Sequence, residues 1–479
     1  MDRAQRCAFI IFGITGDLGA RKLLPALYAL HRNGRLHPET AIIGYARSDH
    51  TDGSLRAKLE KSLERFVPDF DRKSWAHLAP RIHYIRGGYA DAAGFATLHN
   101  HLKGTGLESR ILYTATPPEV YESIALGIVG VGLNRSEGFT RLVIEKPFGT
   151  DLESARELNR TLLQCFNEEQ LYRIDHYLAK ETAQNLAVLR FANTLFEPIW
   201  SNRSVDNIQI TMAEPMGMEG RGEFYEQAGV IRDVFQNHLL QLVALIAMEP
   251  PSNYDATSVR NEKVKVFDAM APLKPDRAVL GQYVASNGMP GYREEKGVAP
   301  DSRQATFAAV HFDILNWRWS GVPFFVRSGK RLEGKASQIV LQFKVPPHIP
   351  FTLDRDLKPD RLILRLVPNE GITIRFNGKV PGQGIDLDRI SLNFSYGSRF
   401  NRPIPDAYET LLLDVMLGDA TLFMRADEVE SQWRVVMPLI DHLDLELEEP
   451  HFYSAGSLGP KAAYTMLTEQ GRHWYRPWD

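Results

Sequence analysis

Short apolar runs punctuate the first 150 residues: CAFIIFG, AIIGYAR, RIHYIRG, SRILYTATPP and TRLVIEKP. Helix-like segments separate most of them, and strands alternating with helices specify a parallel sheet whose faces are covered. From about Asp151 the pattern changes. A polar helix, DLESARELNRTLLQCF, has Thr150 and Asp151 as candidate caps, and helical segments follow around ETAQNLAVLRFAN. Beyond these, VDNIQITMAE, QATFAAVHFDIL, SQIVLQFKV, RLILRLVP, GITIRFNG and RISLNFSY come with few long helices between many of them, which predicts an antiparallel sheet. The chain has 479 residues, more than the roughly 250 to 300 at which a single hydrophobic core stops growing, so two domains are expected. The fold class is α/β plus α+β.

GITGDLGARKLLPALYAL follows the first strand and opens an amphipathic helix. Gly13, Gly16 and Gly19 let the backbone turn tightly and approach a pyrophosphate, whose charge is favoured at a helix N-terminus. The spacing is G-x-x-G-x-x-G, a departure from the usual G-x-G-x-x-G, and an ordinary strand-to-helix turn uses glycine in the same way. Arg47 ends the second strand. Many dinucleotide folds carry there an acid that bonds the ribose 2′-hydroxyl, whereas an arginine suits a 2′-phosphate, which favours NADP over NAD. The alternative for Arg47 is a solvated strand-end cation.

EKPFG closes what reads as the last strand of the first half, at the C-terminal edge where open α/β sheets bind ligands, so Lys146 is placed to reach one. Pro147 is a candidate for a cis peptide bond. A surface Glu-Lys pair at a loop start is the competing reading. RIDHYLAKE gathers more ionisable groups than an ordinary helix requires. Helical winding would put His176 and Lys180 on one face with Tyr177 beside them, making an anion pocket that suits a phosphate monoester. AGVIRDVFQNHLLQLVALIAM reads as one long, mostly apolar helix with Arg232, Asp233, Gln236, Asn237 and His238 crowded near its start. Histidine is the side chain whose ordinary pKa suits taking a proton near neutrality, which makes His238 a candidate base, and Asp175 is the candidate carboxylate to fix its tautomer. The alternative is a core histidine satisfied by a backbone carbonyl, with Asp175 and Lys180 in structural ion pairs. In VPFFVRSGKRLEGK, Lys330 and Lys335 follow a strand near a glycine turn, and a solvated basic loop is the more frequent cause of such a stretch.

Composition narrows the partners. With 56 basic and 59 acidic residues the formal net charge is −3, and no basic stripe suits nucleic acid. The two cysteines, Cys7 and Cys165, are too few for a disulfide framework and lack zinc-ligand spacing, which points to a reducing compartment, the cytoplasm. The opening MDRAQRCAFIIFGITGD breaks its apolar run at glycine, and there is no apolar run of the ~20 residues needed to cross a bilayer, so neither export nor membrane insertion is expected.

Together, GITGDLGARK, IIGYAR, EKPFG, RIDHYLAKE, DNIQITMAEPMGMEGR, GVIRDVFQNHLLQ, NWRWSGVPFFVRSGKRL and DAYETLLLDVMLGD resemble the glucose-6-phosphate dehydrogenase family, in the family's order and nearly end to end. The resemblance implies a Rossmann-like NADP-binding domain over residues 1–176 and, over 177–479, an α+β domain for substrate binding and oligomerisation with a large, mainly antiparallel sheet. It implies oxidation of D-glucose 6-phosphate to 6-phospho-D-glucono-1,5-lactone, the first step of the oxidative pentose phosphate pathway. It places the general base on His238, its supporting carboxylate on Asp175, and the phosphate contacts on His176, Tyr177 and Lys180. Lys146 falls between coenzyme and sugar, Glu214 and Asp233 on sugar hydroxyls, and Lys330 and Lys335 at the far side of the substrate. The coenzyme contacts fall on Gly13, Thr15, Gly16, Asp17, Leu18 and Arg47, no metal is needed, and a homodimer or homotetramer is implied. Two departures from the family pattern stand out: Ala179 where glycine is common, and Ile14 in the coenzyme turn.

Overall fold

The computed structural model describes residues 3–350, 357–400, 404–445 and 449–478. The chain forms two compact units. The first comprises Met1–Ala179, Pro251–Arg260 and Pro405–Glu430; the second comprises Lys180–Pro250, Asn261–Ile404 and Ser431–Asp479. No helix among the described residues is long and apolar enough to cross a membrane.

The first unit is built on a seven-stranded sheet. Its parallel strands are β1 (Ala8–Phe12), β2 (Ala41–Ala46), β3 (Ile82–Arg86), β4 (Arg110–Thr114), β5 (Thr140–Ile144) and β6 (Leu171–Ile174). They lie in the order 3-2-1-4-5-6, that of a doubly wound dinucleotide-binding sheet. The short strand Phe423–Met424 adds antiparallel to β6. All five residues of β1 are buried, as a strand covered on both faces requires. Helices fill the crossovers; that of Leu152–Cys165 starts at Asp151, whose carboxylate accepts from the Ser154 N–H at 2.7 Å. The core continues onto the helix Ala407–Leu417, which buries Leu411, Leu412, Val415 and Met416.

Two sequence expectations change here. EKPFG does not close the last strand of the first half, because β6 follows it. RIDHYLAKE is not a helix: its first two residues end β6, residues 176–179 form a turn, and the helix Glu181–Phe191 starts only after Lys180. The reason is Asp175. Its Oδ1 accepts from the Tyr177 N–H at 3.0 Å, and its carbonyl accepts from the Leu178 N–H at 3.0 Å, so a side chain takes a bond that helical winding would have given the backbone.

The second unit carries a nine-stranded sheet. Its strands are β7 (Val205–Ala213), β8 (Ala278–Val284), β9 (Phe307–Phe312), β10 (Phe324–Gly329), β11 (Ala336–Phe343), β12 (Arg361–Val367), β13 (Gly371–Lys379), β14 (Leu387–Ser395) and the closing strand His451–Ser454. Pairing is antiparallel apart from β7 with β10 and β8 with His451–Ser454. All eight residues of the helix Leu240–Ala247 are buried, so its last carbonyls need partners inside the protein. They have them: Trp200 Nε1 donates to Ile246, Trp319 Nε1 to Ala247, and Arg190 to Leu245, Ile246 and Met248, at 2.9–3.2 Å. A buried guanidinium also answers the negative end of the helix dipole.

Candidate active site

The candidate residues divide between the two units. In the first, β1 delivers the chain into Gly13, which has φ +83° and lies at the point where the strand order reverses. A Cβ on Gly13 would sit 2.3 Å from the Ala115 carbonyl oxygen, so only glycine lets the two strand ends approach. The Gly13 carbonyl accepts from Gly16 N–H at 2.9 Å, turning the chain back into the helical segment that begins at Gly19. Thr15 Oγ1 is 3.3 Å from Ser48 Oγ, and Leu18 packs partly buried against the core. Asp17 pairs with Arg21 at 2.7 Å on the surface. Arg47 extends past β2 with its guanidinium 5.8 Å from the centre of the Tyr89 ring. Beside Gly13, the buried Thr116 hydroxyl has no partner among the described residues. A left-handed glycine, a close strand crossing and an orphaned hydroxyl fit a dinucleotide at this crevice. Gly13→Ala is expected to destabilise the fold by at least ~1 to 2 kcal/mol and to weaken coenzyme binding, as read by denaturant unfolding and by coenzyme titration of the folded fraction.

The C-terminal ends of β5 and β6 hold the next group. Glu145 and Lys146 follow β5, and the Lys146–Pro147 bond is cis. Asp175, His176 and Tyr177 follow β6; Asp175 is 1% exposed and the other two are half-buried. The His176 ring is 5.0 Å from that of Tyr177, and the Tyr408 ring stacks on it at 6.4 Å and 16°. Glu145 accepts hydrogen bonds from the hydroxyls of Tyr113 and Tyr408. Burial pushes its carboxyl up from 4.5 to about 7, opposed by those phenols and by Lys146. The sign of the linked stability follows: the contribution of a neutral Glu145 is complete below 4.5 and is lost as pH rises through about 7.

The second unit holds the remainder. Lys180 sits at the start of the helix Glu181–Phe191 with extended backbone, φ −70° and ψ 133°. Glu214 and Lys330 follow the adjacent strands β7 and β10 and form an ion pair at 2.6 Å. The Lys330 ammonium also lies 5.3 Å from the centre of the Tyr225 ring, and its carbonyl accepts from Tyr453 Oη at 2.6 Å. Lys335 is exposed.

Asp233 and His238 lie on the segment expected to be one long helix, and the structure corrects that. The helix Gly222–Val230 breaks at Gly229, with φ 56° and ψ −177°; Ile231–Leu239 is a π-helix; ordinary winding resumes over Leu240–Ala247. The Leu240 N–H reaches back five residues to the Phe235 carbonyl. Asn237 holds the stretch: its side chain accepts from the His238 N–H at 2.7 Å and donates to the Arg232 carbonyl at 3.1 Å. With five-residue hydrogen bonding, Asp233 and His238 stand about one turn apart on a common side, which α-helical winding would not give them. His238 itself is 4% exposed. Sequence reading missed Tyr113, Tyr408 and Glu145, and also Tyr225, whose buried hydroxyl has no partner among the described residues.

Residues 10–185 match the family model of the glucose-6-phosphate dehydrogenase NAD binding domain, and residues 187–475 match that of the glucose-6-phosphate dehydrogenase C-terminal domain. A glucose-6-phosphate 1-dehydrogenase of Aggregatibacter actinomycetemcomitans is 41% identical over 99% of this chain and 98% of its own. One from Dickeya dadantii is 42% identical over 98% of each. Among solved structures, a glucose-6-phosphate dehydrogenase in complex with its substrate glucose-6-phosphate aligns with a TM-score of 0.93 and 36% identity, covering 99% of this chain and 100% of that one. A glucose-6-phosphate 1-dehydrogenase from Mycobacterium avium aligns at 0.89 and 36%, covering 99% of each chain. With both halves matched in order and almost end to end, the chain belongs to the glucose-6-phosphate dehydrogenase family.

Proposed function

We propose that this protein oxidises D-glucose 6-phosphate at C1 to 6-phospho-D-glucono-1,5-lactone, with NADP as hydride acceptor, as the first step of the oxidative pentose phosphate pathway. The observation that carries the reading is the full-length likeness to a dehydrogenase solved with glucose-6-phosphate bound. NADP, when bound, supplies the hydride-accepting nicotinamide. His238 takes the proton of the C1 hydroxyl as general base, and Asp175 stabilises the charge that develops on the imidazole. His176, Tyr177 and Lys180 grip the phosphate. That remote grip orients C1 for reaction, so binding energy away from the bond being broken is spent on alignment. Glu214 and Asp233 bind sugar hydroxyls, Lys330 and Lys335 close the far side of the sugar, and Lys146 lies between sugar and coenzyme. Gly13, Thr15, Gly16, Asp17 and Leu18 cradle the coenzyme. No metal takes part in this scheme.

The preference for NADP rests on Arg47, which follows β2 where a 2′-phosphate is read. Arg47→Ala is expected to lower kcat/KM with NADP by ~10 to 100-fold, the worth of a charge-assisted contact, while NAD changes by no more than about twofold. Coenzyme reduction by glucose 6-phosphate, measured with both coenzymes in both proteins, tests activity and preference together; absent turnover in the parent protein would overturn the reading. A homodimer or homotetramer in the cytoplasm is the setting proposed; a chain with only two cysteines, Cys7 and Cys165, suits a reducing compartment.

A further inference from the structure

Glu145 is tied into the first unit far more closely than a strand-end acid needs to be. Its carboxylate accepts from Tyr113, at the end of β4, and from Tyr408, on the helix Ala407–Leu417. Its backbone carbonyl accepts from Tyr121, on the helix Tyr121–Gly130, at 2.9 Å. Tyr408 has its own supports. Its N–H donates to Asp406 Oδ1 at 3.0 Å, Asp406 pairs with Lys22 at 2.9 Å, and the Lys22 ammonium lies 5.9 Å from the centre of the Tyr408 ring. The other face of the network is His176, whose imidazole stacks on the Tyr408 ring. A single aromatic ring thus links the Glu145 carboxylate to that histidine.

We infer that Glu145 is a positioning residue: acting through Tyr408, it fixes the orientation in which His176 grips the phosphate of the sugar. This rests on the reading of His176 as a phosphate ligand, whereas the chain of contacts lies within one unit. It deepens that reading by making the grip depend on the protonation of a group to which the reading gives no contact with the sugar.

The charged and titratable groups facing Glu145 are Tyr113, Tyr121 and Tyr408 from three elements, Lys146 from its own loop, and Asp175 from the end of β6. As a carboxylate, Glu145 accepts from both phenols. Once protonated, one of its oxygens becomes a donor and the carboxyl loses its charge, which weakens its hold on the two phenols. Burial and the neighbouring Asp175 place that change at about 7, and burial also holds Tyr113 and Tyr408 above the usual phenol range, so they remain donors throughout.

The test is steady-state kinetics of Glu145→Gln, which keeps the shape but removes the charge and exchanges one acceptor oxygen for an amide N–H₂. With glucose 6-phosphate, KM is expected to rise about 5- to 20-fold. The expected changes in kcat and coenzyme KM are about twofold or less, and unphosphorylated glucose should be used as well as by the parent. Across about pH 6 to 9, the parent protein's KM for glucose 6-phosphate is expected to show a dependence near neutrality, beyond that of the substrate phosphate, which the variant lacks. Tyr408→Phe is expected to raise the same KM, and the double variant to add nothing further, because both break one link. An unchanged KM in Glu145→Gln overturns the inference, as do equal losses for glucose and glucose 6-phosphate or additive effects of the two substitutions. Those outcomes leave the proposed activity standing. A His176→Asn variant with the parent's KM for glucose 6-phosphate would instead remove the reading on which the inference rests.

Discussion

Replacing His238 with asparagine is expected to lower kcat by ~100 to 10,000-fold, the usual contribution of a general base, while KM for glucose 6-phosphate stays within about threefold. Asparagine keeps a polar side chain of moderate volume in a position that is 4% exposed, so the loss is chemical rather than a collapse of the site. The backbone there is held independently of the imidazole, since the His238 N–H donates to the Asn237 side chain at 2.7 Å. The π-helical stretch is therefore retained, and far-ultraviolet circular dichroism should match the parent. Stopped-time assays of coenzyme reduction at saturating substrate read the effect. A kcat within tenfold of the parent would remove His238 from the role of base.

Lys180→Ala is expected to act on binding instead. A contact between ammonium and phosphate is worth ~1.5 to 3 kcal/mol, so kcat/KM for glucose 6-phosphate should fall ~10 to 100-fold, with coenzyme KM unchanged. The position tolerates the change structurally: Lys180 precedes the helix with extended backbone, its carbonyl accepts from the Gln184 N–H at 3.0 Å, and alanine supports both. Unphosphorylated glucose is the control. Equal losses for glucose and its phosphate, or for sugar and coenzyme, would contradict an anion-gripping role.

Much of the first sheet was legible because β1, β2, β4 and β5 are apolar runs bounded by turn residues, as fully covered strands must be. β6 was not. Arg173 interrupts its apolar pattern and is buried only because Glu168 takes its guanidinium through two oxygens, at 2.6 and 3.2 Å, a pairing invisible to local periodicity. The strand Phe423–Met424 is too short to have a period at all. RIDHYLAKE stood out for its gathered ionisable groups, but its local geometry was not legible. Helical spacing was the arrangement considered, and the Asp175 carboxylate takes a backbone N–H that the helix would have used. The π-helix carrying Asp233 and His238 has no compositional signature, and the positive φ of Gly229 ahead of it is visible only in the structure. Glu145 was passed over for Lys146 because its phenol partners are supplied by residues 113 and 408, a juxtaposition only the tertiary fold creates.

The wide winding of Ile231–Leu239 has a bearing on which changes of length this chain can absorb. Were the wide winding kept, losing one residue there would carry all that follows round by roughly a quarter of a turn. Leu240–Ala247 is packed on every side, and its end is clasped by two indoles and a guanidinium that cannot follow such a rotation. Spacing is thus as much a requirement of this stretch as side-chain identity, and a deletion far milder on paper than a histidine replacement would silence the protein just as thoroughly.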